Sequence, residues 1–179
     1  MSAAPGQAPW TPPAPPGPVR HLYVHLPFCV HRCGYCDFVT VVGRRGTGEH
    51  GAYVSALLAE LRLAQQPGGT PAGAVRLGGA GDDPAEPLLD SVFLGGGTPT
   101  FTEGDELVRL LHRLPAAREL TVEANPETVT PDLAAALREG GVTRVSLGAQ
   151  TFQEHLLRVL DELGKLGKEL SEEKALLGY

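Results

Sequence analysis

The sequence predicts an α/β fold built on a parallel sheet, and two observations support this prediction. Short apolar segments alternate four times with segments that carry leucine or valine at helical spacing. The apolar segments are also apolar almost throughout, which is typical of parallel strands covered on both faces. Such alternation is typical of an α/β barrel or of an open α/β sheet with right-handed crossovers, and periodicity alone does not separate the two.

The first strand and the first helix lie on either side of a cysteine-containing segment. The strand is predicted over residues 19–26, where an apolar run leads directly into the first cysteine. The helix is predicted over residues 53–63, because apolar residues recur there at intervals of three and four. Residues 65–87 are rich in Gly, Pro, Ala and Asp without sustained periodicity, so we expect a long surface loop there.

The other three strand–helix pairs follow in order. The predicted strands are residues 91–94, 119–123 and 142–147, and the helices after them are residues 107–114, 130–138 and the segment from residue 153 onward. A glycine run over residues 95–97 ends the first of these strands. The helix that begins at Thr130 has a threonine N-cap, Pro131 in its first turn and Gly140 as its stop.

Composition divides the chain into three parts and restricts the classes of function. Residues 1–18 are mostly Ala, Pro and Gly and predict a disordered tail, residues 19–160 form the predicted core, and residues 161–179 form a divergent helical tail. The net charge of −6 provides no basic surface for nucleic acid. No run of about 20 apolar residues predicts a membrane span, and no signal peptide is recognisable, so we expect a cytoplasmic protein.

All three cysteines of the chain, Cys29, Cys33 and Cys36, lie in one short segment with the spacing C-x3-C-x2-C. Three thiolates in so short a loop can converge on one inorganic group. An iron–sulfur cube held by three thiolates leaves one iron open to another ligand, whereas structural zinc requires four ligands. A zinc Cys3His site using His25 or His31 is the alternative, although the x3 spacing does not match zinc ribbons. An odd number of cysteines in one loop does not favour disulfides.

The residues around the cysteines carry a resemblance to a known family. The C-x3-C-x2-C spacing, with Tyr35 just before the last cysteine, resembles the radical S-adenosylmethionine (SAM) enzymes. The strings YVHLPFC (residues 23–29) and CDF (residues 36–38) are similar to the branch that contains oxygen-independent coproporphyrinogen III oxidase and the HemW-type heme chaperones. The oxidase typically has a further cysteine where this chain has Phe38, and this difference favours the chaperone branch.

The resemblance implies the cofactors and the residues that bind them. It implies a [4Fe-4S] cluster on the three cysteines, with SAM on the open iron and heme as a possible cargo. Without the resemblance, the glycine run is equally consistent with a tight turn, and Glu123 and Gln150 with helix caps or solvated turn groups. The cofactor-binding residues that the resemblance implies are Tyr23, Tyr35, Gly96, Gly97, Thr98, Glu123 and Gln150.

The resemblance also implies a partial, TIM-like (β/α) barrel, of which about four of the six strand–helix units are present. Relatives typically have an arginine facing SAM where this chain has Asp161 and Glu162, so we expect Glu162 to weaken SAM binding. The function implied is heme trafficking or porphyrin metabolism, and whether the chain is an enzyme stays open. The alternative is a non-catalytic metal-binding fragment, either an inactive barrel or a zinc module.

The C-terminal region suggests self-association. A shortened barrel would expose its fourth strand as an unpaired edge, and such an edge invites pairing with another chain. The leucines at this end recur every seven residues and can form one apolar stripe: Leu156, Leu163, Leu170 and Leu177. We therefore expect the chain to associate with itself through the open edge of the barrel.

Overall fold

The computed structural model describes residues 18–66, 75, 77 and 89–162. The strands are β1 His21–Leu26, β2 Phe28–Cys29, β3 Val41–Val42, β4 Leu89–Gly96, β5 Ala117–Ala124 and β6 Arg144–Leu147. The helices are α1 Glu49–Ala64, α2 Gly104–Leu111 and α3 Pro131–Glu139, and residues 154–162 form a further helix, α4. Two short 3-10 turns, Pro99–Phe101 and Pro126–Thr128, follow β4 and β5.

The main sheet is parallel, which confirms the predicted fold class. Its strand order is β1-β4-β5-β6, and each neighbouring pair runs parallel. Parallel neighbours require crossover connections, and α2 and α3 supply them between β4, β5 and β6. The strands β2 and β3 form a separate parallel pair in which Phe28 lies opposite Val41. As a result, the segment that carries the first cysteine is itself part of a small sheet.

One face of the main sheet packs against the helices and forms the core. The residues of this core are Val24, Leu26, Val54, Leu89, Val92, Leu94, Leu107, Leu110, Leu111, Leu120, Val122 and Leu137. The opposite face is polar and only partly buried: Tyr23 and His25 project from it on β1, and Glu119 and Glu123 on β5. Both faces are covered in the middle of β5, where Thr121 is buried between Leu120 and Val122, but not on β1, where Tyr23 is 56% exposed. Among the described residues, the prediction that the strands are covered on both faces is therefore correct only in part.

The predicted elements are all present among the described residues, but several boundaries differ. The helix α1 begins at Glu49, four residues earlier than predicted, because its first turn buries His50, which carries no apolar signal. For α3 the capping prediction is confirmed: the Thr130 hydroxyl accepts from the Leu133 N–H at 3.2 Å, and Gly140 ends the helix. All but the last residue of the predicted tail over residues 1–18, most of the loop over 65–87, and residues 163–179 lie outside the described residues.

Among the described helices, none is long and apolar enough to cross a membrane.

His50 connects the first helix to the segment that carries the cysteines. Its side chain is fully buried, with the Phe28 ring 4.3 Å and the Phe101 ring 5.6 Å from the imidazole centroid. The Nδ1 atom accepts from the Glu103 N–H at 3.1 Å, so the neutral ring carries its proton on Nε2. Nε2 has no hydrogen-bond partner among the described residues. Burial therefore lowers the pKa of His50, outweighing the opposing effect of Glu103.

This burial predicts a specific loss of stability at acid pH. The unfolded chain binds a proton at His50 as the pH falls through 6.5, whereas the folded chain binds it only at a lower pH because its pKa is lowered, so between these two pKa values stability should fall by up to about 1.4 kcal/mol per pH unit. In His50→Asn the acid-dependent loss should be smaller, although the variant should be less stable at pH 7.5. Urea unfolding at pH 7.5 and 5.5 measures this, with the exposed His112→Asn as control. Equal acid-dependent losses in all three proteins would contradict the prediction.

Candidate functional site

The segment that carries Cys29, Cys33 and Cys36, called the cysteine segment below, begins where β1 ends, at the carboxyl edge of the main sheet. Cys29 lies on β2, and Cys33 and Cys36 lie in the loop that follows, where the Cys36 N–H donates to the Cys33 carbonyl at 3.1 Å. All three side chains are half-buried, and none forms a disulfide. After the loop, the chain pairs again with the backbone around Cys29 through two further hydrogen bonds. The Val41 N–H donates to the Pro27 carbonyl, and the Gly43 N–H donates to the Cys29 carbonyl.

The glycine run after β4 holds this segment in place. The Gly97 N–H donates to the Leu26 carbonyl and the Thr98 N–H donates to the Phe28 carbonyl, both at 2.8 Å. The sequence resemblance implies that Gly96, Gly97 and Thr98 bind a cofactor. The N–H groups of Gly97 and Thr98 are not free for that role, because both already bind the chain just before Cys29.

Glycine is required in this run because other groups come too close for a side chain. Gly96 has a φ of +115°, which L residues rarely adopt, and a Cβ there would lie 2.6 Å from the His25 ring. A Cβ at Gly97 would lie 2.5 Å from the Pro27 carbonyl oxygen, which is backbone and cannot move aside. The three-glycine sequence therefore sets the distance between β4 and the cysteine segment.

A cavity of about 250 Å³ opens between the cysteine loop and the ends of β4, β5 and β6. Nine of the ten sequence-predicted site residues line it: Cys29, Cys33, Tyr35, Cys36, Gly96, Gly97, Thr98, Glu123 and Gln150. The carboxyl ends of parallel strands meet at one edge of a sheet, which brings Glu123 and Gln150 to the cysteines from separate segments. Gln150 has a φ of 45°, the only positive value among the described non-glycine residues.

Tyr23 is the predicted site residue that the structure does not place in the cavity lining. Its ring stacks on Phe93 at 6.1 Å, and its hydroxyl lies 3.1 Å from the His25 Nδ1. The His25 Nε2 lies 2.9 Å from the Val39 carbonyl, just beyond the cysteine loop. Burial and the nearby Glu123 carboxylate raise the pKa of Tyr23. Tyr23 therefore lies next to the cavity and connects to the cysteine loop only through His25.

The arrangement gives the zinc alternative no support. His25 contacts the Val39 carbonyl, and His31 is the histidine near a thiol, with its Nε2 at 3.9 Å from the Cys33 sulfur. Within the described ranges, no group of three or more His, Cys, Asp or Glu side chains is close enough together to hold a single metal ion. A cube places each thiolate on a different iron, so the three sulfurs need only face one cavity. The three cysteines meet that requirement.

The thiols lie in a site that is partly shielded from water. Burial raises the pKa of Cys29, the Thr98 hydroxyl opposes this by hydrogen bonding, and Cys36 and Cys33 raise it further. Burial and the adjacent Cys33 raise the pKa of the Tyr35 hydroxyl, which keeps that side chain neutral. A bound metal would replace the thiol protons, so cluster binding should release protons to solvent.

The lining residues that were not predicted from the sequence include two polar ones on the β5 and β6 side of the cavity, Asn125 and Ser146. Asn125 follows Glu123 by two residues and donates through its side-chain amide to the Thr98 hydroxyl at 3.2 Å. Ser146 lies on β6. The Asn-Pro pair after the third predicted strand marks a turn at the same sheet edge as Glu123, and it could have identified Asn125. Ser146 has no comparable signal in the sequence.

The structure also changes the interpretation of Asp161 and Glu162, the two adjacent acidic residues at the end of α4. We expected Glu162 to face the SAM site, but the residues that line the cavity do not include it. Asp161 instead contacts the cysteine loop, accepting from the Gly34 N–H at 2.9 Å. The difference arises because successive residues of a helix point about 100° apart, so only one of two adjacent acids can face the loop.

Comparison with known proteins identifies relatives of this chain. Residues 23–172 match the family described as the radical SAM superfamily. The chain is 36% identical over 171 residues to the heme chaperone HemW of Mycobacterium tuberculosis (strain H37Rv), covering 92% of this chain and 38% of that protein. It is 34% identical over 154 residues to HemW of Escherichia coli K12, covering 82% of this chain and 36% of that protein.

A solved structure also resembles the chain. The coproporphyrinogen III oxidase HemN of Escherichia coli, described as a radical SAM enzyme, matches with a TM-score of 0.58 and 27% identity. The match covers 80% of this chain and 30% of that one. The chain thus spans less than two fifths of the length of these curated relatives.

The geometry predicts that each cysteine is needed for metal binding. Changing Cys29, Cys33 or Cys36 singly to alanine should abolish the cluster, because three thiolates are the minimum that leaves only one iron open. Iron and sulfide analysis with visible absorbance after anaerobic reconstitution measures this. The control is His31→Ala, which removes the histidine nearest the thiols and should keep full iron content. Full iron and cluster absorbance in any cysteine variant would overturn the assignment, and loss in His31→Ala would favour a Cys3His site.

Proposed function

The chain belongs to the radical SAM superfamily, and from that premise we propose that it binds a [4Fe-4S] cluster and SAM and acts in heme trafficking. Membership of the family implies both cofactors. We assign the cluster to Cys29, Cys33 and Cys36, and SAM to the part of the cavity between the cysteine loop and the ends of β5 and β6. We further propose that this site works in the cytoplasm, where thiols stay reduced.

One observation carries the proposal: residues from four separate segments line a single cavity. The cysteine loop supplies three thiols and Tyr35, the glycine run supplies backbone, β5 supplies Glu123, and the segment after β6 supplies Gln150. These segments are distant in sequence and meet because the strands are parallel. A structural metal site would need only the loop, whereas a cofactor that extends from the metal needs the whole cavity.

The residues have distinct roles toward the two cofactors. When bound, the cluster would supply the electron needed to cleave SAM. The thiolates of Cys29, Cys33 and Cys36 would hold the cluster. Glu123 offers an acceptor for amino or hydroxyl groups, and Gln150, which follows β6, offers both a donor and an acceptor. Tyr35 lines the cavity and adds an aromatic surface next to Cys33 and Cys36.

The heme part of the proposal rests on the relatives and on one exposed surface. Both sequence relatives described above are named heme chaperones. Beside the cavity, Phe38 and Val39 are 70% and 81% exposed, and Phe38 lines the cavity itself. Apolar side chains of this kind suit the apolar face of a porphyrin. Phe38 stands where the oxidase branch has a cysteine, so we propose heme binding and transfer rather than porphyrinogen oxidation.

The second candidate function is a non-catalytic metal-binding protein. It is favoured by the N–H groups of Gly97 and Thr98, which bind the chain just before Cys29 and are therefore not free to bind SAM. In that case the cluster would bind but SAM would not be cleaved.

The heme proposal predicts opposite results in two assays. The cluster-loaded chain should bind hemin saturably, and it should not decarboxylate coproporphyrinogen III under anaerobic, reducing conditions. Absorbance titration measures hemin binding, and product chromatography measures decarboxylation. The cluster-free Cys33→Ala variant is the control for decarboxylation. The Phe38→Ser variant should bind hemin more weakly. Turnover above the control would place the chain with the oxidases, and hemin binding unchanged in Phe38→Ser would remove Phe38 from the heme surface.

We also propose that the chain associates with itself through β6. This strand ends the described sheet, pairing only with β5, and Val145 and Leu147 on it are 42% and 55% exposed. An exposed edge strand with apolar side chains pairs readily with another chain. Light scattering should show oligomers that Val145→Lys reduces, since a charged edge residue opposes pairing. A monodisperse wild-type monomer with a sharp cooperative melt would exclude this association.

A further inference from the structure

Thr98 is a buried threonine whose hydroxyl lies between two polar groups. The residue is only 3% exposed. Its hydroxyl oxygen lies 3.8 Å from the Cys29 sulfur on one side and 3.2 Å from the Asn125 amide nitrogen on the other. A hydrogen bond to sulfur is longer than one to oxygen because sulfur is larger. Asn125, Thr98 and Cys29 therefore form a chain of two hydrogen bonds that ends at a cysteine of the cavity.

The chemistry of the sulfur fixes the direction of both bonds. A cysteine that binds metal is a thiolate and has no proton, so it can only accept a hydrogen bond. The single hydroxyl proton of Thr98 must then point at the Cys29 sulfur. The Thr98 oxygen is left as an acceptor, which matches the amide NH2 group that Asn125 directs at it. Each group in the chain thus has one role, and no alternative orientation satisfies both bonds.

The two polar residues are held rigidly by the backbone. The Thr98 N–H donates to the Phe28 carbonyl at 2.8 Å, which is the carbonyl immediately before Cys29. The Asn125 carbonyl accepts from the Thr128 N–H at 3.0 Å and from the Thr128 hydroxyl at 2.8 Å. Thr98 therefore contacts the cysteine segment through both its backbone and its side chain. Asn125 is fixed at the start of the 3-10 turn after β5.

We propose that Thr98 and Asn125 are positioning residues that set the reduction potential of the cluster by donating a hydrogen bond to the Cys29 sulfur. This proposal rests on the cluster assigned under the proposed function. Reduction adds negative charge that is shared by the cluster sulfurs, and a donated hydrogen bond stabilises the reduced form more than the oxidised one. The hydrogen bond from Thr98 therefore raises the reduction potential of the cluster, which favours the reduced form that supplies the electron for SAM cleavage.

This role differs from the SAM contact that the sequence resemblance assigns to Thr98. Its hydroxyl donates to sulfur and accepts from Asn125, and its N–H is bonded to Phe28. No donor of Thr98 is left for SAM, and its carbonyl already accepts from the Phe101 N–H at 2.8 Å. The hydroxyl acts on the cluster, and Glu123 and Gln150 provide the polar side chains that face SAM.

The test is a redox titration of the reconstituted full chain, poised with dithionite and followed by the EPR signal of the reduced cluster. Thr98→Val keeps the shape of the side chain and removes the donor, so its potential should be more negative than that of the wild type. Thr98→Ser keeps the hydroxyl and should restore the wild-type potential. Asn125→Ala should shift the potential in the same direction by less, and should have no further effect in the Thr98→Val background, since Asn125 acts only through Thr98.

Each outcome bears on the proposal. An unchanged reduction potential in a cluster-loaded Thr98→Val variant overturns the proposal. If that variant also binds SAM more weakly, the Thr98 hydroxyl contacts SAM rather than acting on the cluster. If Thr98→Val does not retain a cluster, Asn125→Ala decides, because a wild-type potential in that variant also overturns the proposal. A wild-type chain that binds no cluster at all overturns the proposed function together with this inference, whereas a normal wild-type cluster with unshifted variants overturns the inference alone.

Discussion

Two backbone hydrogen bonds between the glycine run and the cysteine segment fix the geometry on which the rest of the site depends. The N–H groups of Gly97 and Thr98 bind the carbonyls of Leu26 and Phe28 and extend the β1–β4 pairing beyond the sheet edge. This close approach is possible because residue 97 has no side chain to meet the Pro27 carbonyl. Cys29 is thereby held at a set distance from the ends of β5 and β6. As a result, Cys29 and Glu123 line the same cavity.

The polar face of the sheet follows from the same arrangement. The strands bury Val, Leu and Ala against the helices on one face, whereas the opposite face carries Tyr23 and His25 on β1 and Glu119 and Glu123 on β5. The Tyr23 hydroxyl contacts His25, and the His25 ring contacts the Val39 carbonyl beyond the loop. This face is thus connected to the backbone after the cysteine loop, while the glycine run is hydrogen-bonded to the backbone just before Cys29.

Much of this could be predicted from the sequence, because the informative signals are local. Alternating apolar and helical segments predicted the parallel sheet, and Thr130 with Pro131 predicted the start of α3. The rule that parallel strands end at one edge brought Glu123 and Gln150 together with the cysteines. Features that depend on tertiary contact were not predictable. Nothing local shows that His50 is buried, that Thr98 directs its hydroxyl at Cys29, or that Asp161 rather than Glu162 contacts the loop.

We propose that three thiolates hold a [4Fe-4S] cluster whose fourth iron is open to SAM. EPR spectroscopy of the reduced, reconstituted chain with and without SAM tests this assignment, because a new ligand on one iron changes the spectrum of the whole cluster. We expect a [4Fe-4S] signal whose g-values shift when SAM is added and do not shift with S-adenosylhomocysteine plus free methionine at equal concentrations. A cluster signal that is identical with and without SAM would contradict it.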